Sequence, residues 1–375
     1  MTSIGGAEMV DWNLAVATAT RLVRPGPEVS RDEARAVVAE LRRHAKASER
    51  HVRGFTGLGT DEAHDTPVLV VDRPGWVRAN VAGFREVLRP LLEKMQERRG
   101  STPGGAVLGA VGGKVTGVEL GMLLSFLASR VLGQYETFAP ATRDLPAGAN
   151  GGGRLLLVAP NIVHVERELD VQPHDFRLWV CLHEETHRTQ FTAVPWLRDH
   201  LEGEIQSFLE ETDVDPMTIL ERIREAAQSL AGGRPEGEEG DEGGRSIVEL
   251  VQTPAQREVL GRLTAVMSLL EGHADFVMDG VGPDVVPSVE EIREKFQQRR
   301  AKGASRLDTA LRKLLGLDAK LRQYRDGERF VRAVVEQVGM EGFNRVWTSP
   351  NTLPTKAEIA APAEWIARVH RKPEA

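Results

Sequence analysis

The chain has 375 residues, of which 41% are hydrophobic and 27% are charged, as is ordinary for a globular protein with a large buried core. Its formal net charge of −7 gives no reason to expect nucleic acid or an anionic membrane as a partner. The single cysteine, Cys181, excludes an internal disulfide and fits a reducing compartment. The first residues include neither a basic stretch nor an apolar one, so we expect no secretory signal and a cytoplasmic protein.

The chain up to residue 98 predicts mainly helices, with one short strand between them. Ser30 begins a sequence with the pattern of a capping box, which predicts the start of a helix. We expect His44, on that helix, to be exposed because basic residues flank it. Residues 68–71 predict a short strand, and apolar spacing predicts a further helix over about residues 76–98.

Glycines recur at every fourth position from Gly105 to Gly121. On a helix they form one bare stripe, which allows a neighbouring helix to approach closely. Lys114 and Glu119 interrupt the apolar sequence, so a buried helix is favoured over a membrane span. We expect this helix to reach about Ser129 and to lie in the core, beside the helix described next.

The central motif of the chain is His183-Glu184-x-x-His187. Residues four apart lie on one face of a helix, so both imidazoles can bind one metal ion. Glu184 is placed to accept a proton from metal-bound water. Pro173 suits the first turn of this helix, and the motif lies on an apolar face typical of a buried helix. We expect Glu185 to turn away from the metal and to be solvated.

An acidic, glycine-rich segment at about residues 231–245 is expected to be a flexible loop. It follows the histidine motif and precedes the second candidate part of the metal site. An insertion at this place is compatible with a single domain, so we expect residues 1–375 to form one.

A third metal ligand is predicted on a later helix, where Glu271 and Asp275 lie four residues apart beside an apolar stripe. Two buried carboxylates are costly unless a cation compensates them. Zinc bound by Glu271, with Asp275 accepting the free N–H of a ligating histidine, would compensate both. Two alternatives remain open: both carboxylates are solvated, or His273, on another side of the helix, is the third ligand.

The histidine motif followed by Glu271-x-x-x-Asp275 resembles the gluzincin pattern of zinc metallopeptidases. More narrowly, the chain resembles a zincin-like metallopeptidase family common in actinobacteria. Members of that family are often labelled as associated with deazaflavin-coenzyme biosynthesis. The resemblance covers most of the chain, including residues 130–135 and 347–350. It implies a predominantly helical α+β fold, with a zincin-like core and a small sheet beside the metal-binding helix.

The resemblance also implies His183, His187 and Glu271 as ligands of Zn²⁺, with Glu184 as the base of a metallopeptidase that hydrolyses a peptide or amide. Such proteins bind an extended substrate along an edge strand. Residues 155–160 and 162–165, rich in branched side chains, are the candidates for that strand. Tyr324 is a candidate oxyanion donor.

Two other classes of function stay open. One is a catalytically silent zincin-fold binding or scaffold protein, and the other is a protein of deazaflavin coenzyme metabolism. The glycine run at residues 151–153 lacks the spacing of a phosphate-binding loop. The sequence does not define the oligomeric state.

Overall fold

The computed structural model describes residues 10–59, 66–99, 105–138, 153–210, 253–302 and 317–371. Side chains are described for these residues except 94–99, 105–113, 300–302 and 317–325. The predicted acidic loop at 231–245 and the side chain of Tyr324 therefore lie outside the described part. No helix within that part is long and apolar enough to cross a membrane.

The fold is predominantly helical with one small mixed sheet, as the sequence predicts. In the first half of the chain the elements are α1 Trp12–Leu22, α2 Arg31–Thr56, β1 Val68–Val71, α3 Arg73–Arg99, α4 Gly105–Ala128, β2 Gly133–Glu136, β3 Arg154–Val158, α5 Ala159–Leu169 and α6 Pro173–Ala193. They are followed by α7 Pro195–Glu210, α8 Pro254–Gly280, α9 Val289–Lys302, α10 Leu317–Phe343, two short 3-10 helices at Asn344–Trp347 and Pro350–Thr352, α11 Lys356–Ala360 and α12 Pro362–Val369.

The described chain divides into two compact units. The first comprises residues 1–195 and 274–301 and contains the sheet with α1 to α6. The second comprises residues 196–273 and 302–375. Helix α8 is continuous through residue 273, where the chain passes from the second unit to the first.

The sheet has the strand order β1-β3-β2. Strand β3 pairs in parallel with β1, Leu155 opposite Val68, and antiparallel with β2, Leu157 opposite Gly133. The central strand is β3, and its residues 155–158 are fully buried. Its neighbours therefore form the two edges of the described sheet.

The second extended segment predicted from the sequence is wrong, because residues 162–165 are helical. Strand β3 ends at Val158, and α5 begins immediately with Pro160 in its first turn. Proline is favoured there because the first N–H groups of a helix have no internal partner. The branched side chains of this segment face the core from a helix, and His164 is half-exposed on it.

The glycine-rich α4 packs against α1 and α3. A Cβ atom at Gly117 would lie 2.6 Å from the carbonyl oxygen of Asp11, and one at Gly121 would lie 2.7 Å from that of Ala15. The bare stripe thus allows the close approach that the sequence predicts. The prediction that α4 lies in the core is wrong, because the opposite face of this helix exposes apolar side chains such as Met122, which is 48% exposed.

Helix α6 lies in the core of the first unit, between α2 and the sheet. It starts at Pro173, with Asp175 in its first turn, and ends before Pro195. Packing on several sides buries charged residues as well as apolar ones along its length. The same packing buries His44 of α2, which is 7% exposed, so its predicted exposure is wrong.

The second unit is held together by close backbone contact and by aromatic packing. A Cβ atom at Gly272 of α8 would lie 2.1 Å from the carbonyl carbon of Gly327, so α8 and α10 approach closely at these glycines. Towards the C-terminus of the chain, Trp365 is fully buried, and its ring centroid lies 5.7 Å from that of Phe330. The Trp365 indole donates a hydrogen bond to the carbonyl of Thr352.

Candidate metal centre

Helix α6 presents the two histidines of the motif to a common point. The Nε2 atoms of His183 and His187 are 3.2 Å apart. The two rings are nearly perpendicular, at 86°, with centroids 4.8 Å apart. This arrangement follows from the spacing of four residues, which places both side chains on one face of the helix.

The other ring nitrogen of each histidine faces a polar side chain. Nδ1 of His183 lies 3.5 Å from Oδ1 of Asp275, and Nδ1 of His187 lies 3.0 Å from Oε1 of Gln190. An acceptor at Nδ1 favours the tautomer that leaves a lone pair on Nε2. The carboxylate of Asp275 thus lies near the imidazole of His183, at a separation longer than that between Gln190 and His187.

Glu271 precedes Asp275 by one turn of the unbroken helix α8. The spacing of four residues places the two carboxylates on one face of that helix. His273 has a different environment: it is fully buried, and its ring centroid is 5.2 Å from that of Phe343 and 5.4 Å from that of Trp347.

The two imidazoles fit a zinc ion. Zinc binds imidazole nitrogen at about 2.0–2.1 Å, so two such ligands at a tetrahedral angle lie about 3.3 Å apart. The Nε2 atoms of His183 and His187 are 3.2 Å apart, which agrees with that separation. Two histidines and a carboxylate are also a common ligand set of catalytic zinc sites, where a water occupies the fourth position.

Glu184 lies beside this pair and is buried, with 7% of its surface exposed. Strand β2 contacts it at Gly133: a Cβ atom there would lie 2.5 Å from Cγ and 2.8 Å from Oε1 of Glu184. Only glycine leaves room for the carboxylate in this position. The backbone of the strand thus bounds the space of the Glu184 carboxylate on one side.

A cavity of about 210 Å³ opens beside Glu184 and His183. Its other walls come from the loop before β2, from α6, from the end of α8 and from α9. The lining residues besides Glu184 and His183 are Arg130, Val131, Leu132, Gly133, Trp179, Val180, Met278 and Phe296. The cavity is therefore mainly apolar, with a carboxylate and an imidazole at one place on its wall.

The expectation that Glu185 is solvated is wrong, because this residue is fully buried behind the site. Its carboxylate accepts a hydrogen bond of 3.0 Å from Nε of Arg188. Another nitrogen of the same guanidinium, Nη2, lies 3.2 Å from Oε2 of Glu49 on α2. Burial raises the pKa of Glu185 to about 7, against the opposing effect of the Arg188 guanidinium. The ion pairs join α6 to α2.

Cys181 is buried, and its thiol lies 3.8 Å from the carbonyl oxygen of Leu41. Burial raises the pKa of this thiol well above its ordinary value, and nearby carboxylates such as Glu184 add to the effect. A thiolate is the form that binds zinc, so this cysteine is a packing residue.

Sequence reasoning missed Gln190, Gly133 and the edge strand. Gln190 lies three residues after His187, a spacing that places it on the same helix face. Strand β2, at the sheet edge beside α6, takes the position assigned to residues 155–160, which form the buried central strand. The sequence Gly133-Gln134-Tyr135-Glu136 has few branched residues, which is why its strand signal was weak.

Comparison with known proteins identifies the family of this chain. A family model described as zincin-like metallopeptidase matches residues 10–366, and the chain belongs to this family. No curated protein matches the chain. A crystal structure from Chloroflexus aurantiacus, described as that of a proposed hydrolase with a novel fold, is similar over 97% of this chain and 99% of the other. The two sequences are 32% identical, and the TM-score is 0.67.

Proposed function

We propose that this protein is a zinc-dependent peptide or amide hydrolase, in which His183, His187 and Glu271 bind the metal and Glu184 is the general base. The observation that carries the proposal is the 3.2 Å separation of the two Nε2 atoms, beside a buried carboxylate in the wall of a cavity. Membership of a zincin-like metallopeptidase family supports the same reaction class.

A bound zinc ion supplies a Lewis acid that polarises the scissile carbonyl and acidifies a water molecule. Glu184 accepts the proton of the attacking water and passes it to the leaving nitrogen. Its position against Gly133 holds the carboxylate in place, so no large side-chain rearrangement is needed before the proton transfer. Gln190 orients the imidazole of His187 through Nδ1, and the carboxylate of Asp275 lies 3.5 Å from Nδ1 of His183.

Strand β2 and the apolar cavity account for substrate binding. Strand β2 is an edge of the described sheet and contacts Glu184 through Gly133, so an extended peptide added along it would pass the general base. The cavity walls include Trp179, Met278 and Phe296. They suit one apolar side chain of the substrate next to the cleaved bond.

The alternatives differ from this proposal in testable ways. A deazaflavin coenzyme carries phosphate, which basic residues recognise, yet Arg130 is the one arginine or lysine among the described residues that line the cavity. The Arg130 guanidinium carbon lies 3.7 Å from the ring centroid of Phe126. A scaffold protein would need neither a carboxylate beside the histidines nor a cavity next to it. The cavity therefore favours hydrolysis.

The proposal is tested with Glu184→Gln in a screen of fluorescence-quenched peptides bearing varied apolar residues. Loss of a general base costs about 10²- to 10⁴-fold in rate. We expect the zinc-loaded wild type to cleave a subset of peptides, and Glu184→Gln to retain zinc while losing the cleavage. Glu168→Gln, on the exposed face of α5, is the matched control and should cleave like the wild type. Cleavage unchanged in Glu184→Gln, or a zinc-loaded wild type that cleaves none of the peptides, would contradict the proposal.

A further inference from the structure

A second cluster of metal-ligating side chains lies in the first unit, away from the histidine motif. It consists of Glu40 and His44 of α2 and His174 of α6. Oε1 of Glu40 lies 2.9 Å from Nδ1 of His174 and 3.4 Å from Nε2 of His44. The rings of the two histidines are close, with centroids 4.6 Å apart at 74°. One ligand atom of each residue therefore faces a common point.

The sequence spacing explains this convergence. Glu40 and His44 are four residues apart, so they lie on one face of α2. His174 is the second residue of α6, whose first turn packs beside that face. Each helix thus contributes ligands to one point, which is how metal sites are built between packed helices.

The burial of the cluster favours an ion over a simple hydrogen-bonded group. The side chain of His44 is 9% exposed and that of Glu40 is 17% exposed. Nε2 of His44 is buried and has no hydrogen-bond partner of acceptable geometry among the described residues. A buried polar atom without a partner is costly, and a metal ion would compensate it.

Glu40 is also held in place from its other side. Arg177 contacts Oε2 of Glu40 with one amino group, while its Nε donates a hydrogen bond of 2.9 Å to Glu166. The guanidinium is thus shared with a second carboxylate, and Oε1 of Glu40 is left for the two histidines. A ligating carboxylate that is itself hydrogen-bonded is typical of metal sites.

We propose that Glu40, His44 and His174 bind a second zinc ion. Two imidazoles and one carboxylate are ligands that zinc accepts, and the separation of 3.4 Å between Glu40 Oε1 and His44 Nε2 is close to the edge of a zinc tetrahedron, about 3.3 Å. The side chain of His174 is 66% exposed, so water completes the coordination. The ion joins α2 to the start of the helix that carries the histidine motif. This site is independent of the proposed hydrolysis.

The test measures metal binding in chains that lack the first site. In a His183→Ala/His187→Ala chain we expect about one tight zinc ion, measured by elemental analysis after dialysis. Cobalt(II) added to the same chain should give the visible absorption of a site with nitrogen ligands. The further change His174→Ala should remove both signals, because it deletes a ligand, and the exposed position of that side chain makes it a mild change for folding.

His164→Ala is the matched control, since His164 forms an exposed pair with Glu168 that belongs to no group of three candidate ligands among the described residues. It should leave the zinc content unchanged. If the His183→Ala/His187→Ala chain does not fold, the measurement is made on the wild type instead. We then expect about two zinc ions per wild-type chain and about one per His174→Ala chain. No zinc beyond the first ion, or a second ion retained in His174→Ala, would overturn the proposal.

Discussion

Gly133 and Glu184 are in contact across the junction of β2 and α6, at a distance that leaves no room for a side chain at position 133. A Cβ atom there would lie 2.5 Å from Cγ and 2.6 Å from Cδ of Glu184. Contacts below 3.0 Å force a displacement. The strand that we propose to bind the substrate therefore also sets the position of the proposed general base.

Gly133→Ala is expected to reduce the rate of hydrolysis by about 10-fold or more while leaving zinc bound, because the added methyl group displaces the carboxylate from the water. The measurements are kcat on a cleaved peptide and zinc content. Gly54→Ala is the control: its Cβ meets nothing within 4 Å, and alanine in a helix should stabilise the protein by about 0.5–1 kcal/mol. Full activity in Gly133→Ala would contradict the claim that the contact between Gly133 and Glu184 determines the position of the carboxylate.

Gln190 is expected to tune zinc affinity through His187. Gln190→Ala removes the acceptor 3.0 Å from Nδ1 of His187, and loss of such a partner weakens metal binding by about 10- to 100-fold. Competition with a chelator measures the affinity. Gln190→Glu restores an acceptor and should recover most of the binding, which distinguishes orientation of the ring from a general packing defect. Equal affinity in wild type and Gln190→Ala would refute this role.

Glu185 is expected to be important for stability. Glu185→Ala leaves the Arg188 guanidinium, whose side chain is 4% exposed, without its nearest counter-charge. The guanidinium keeps its ion pair with Glu49, at 3.2 Å, so we expect the loss of this one buried partner to cost about 1–3 kcal/mol. Urea unfolding measures the loss. The control is Glu86→Ala, from an exposed pair, which should change the free energy of unfolding by less than about 1 kcal/mol.

Glu136 is expected to make stability depend on pH. Burial raises its pKa above the ordinary 4.5, although Nε of Arg154 donates to it at 2.6 Å. The folded state therefore favours the protonated form, and the stability from this preference is complete below pH 4.5 and is lost as pH rises through the raised pKa. Relative to Glu136→Gln, the wild type should lose stability over that window in urea unfolding. A difference constant with pH would contradict the raised pKa.

The sequence predicts those features of the site that depend on spacing within one helix. The prediction of His183, Glu184 and His187 required only the helical period of α6. The helical α+β class and the strands β1 and β3 were predicted from apolar patterns. Gly133 could not be predicted in its role, because its contact with Glu184 joins segments far apart in sequence. Whether one domain spans the chain stays a prediction.

The errors have a common physical origin in tertiary packing. Glu185 is expected in solvent because it turns away from the metal, and His44 because its basic neighbours usually indicate a surface. Helix α6 is instead covered on several sides, and the charges are paired there: Glu185 with Arg188, and His44 beside Glu40. Residues 162–165 were expected to be extended from their branched side chains, a local preference that burial on α5 overrides.

The zinc content of Glu271→Ala and His273→Asn tests the proposed metal centre most directly. It is measured in chains that also carry His174→Ala, so that the cluster around Glu40 contributes no ion. The parent chain should retain about one zinc ion after dialysis against a moderate chelator, as should His273→Asn, whereas Glu271→Ala should lose it. Zinc retained in Glu271→Ala and lost in His273→Asn would contradict the ligand set, and a parent chain that binds no zinc would contradict the metal centre itself.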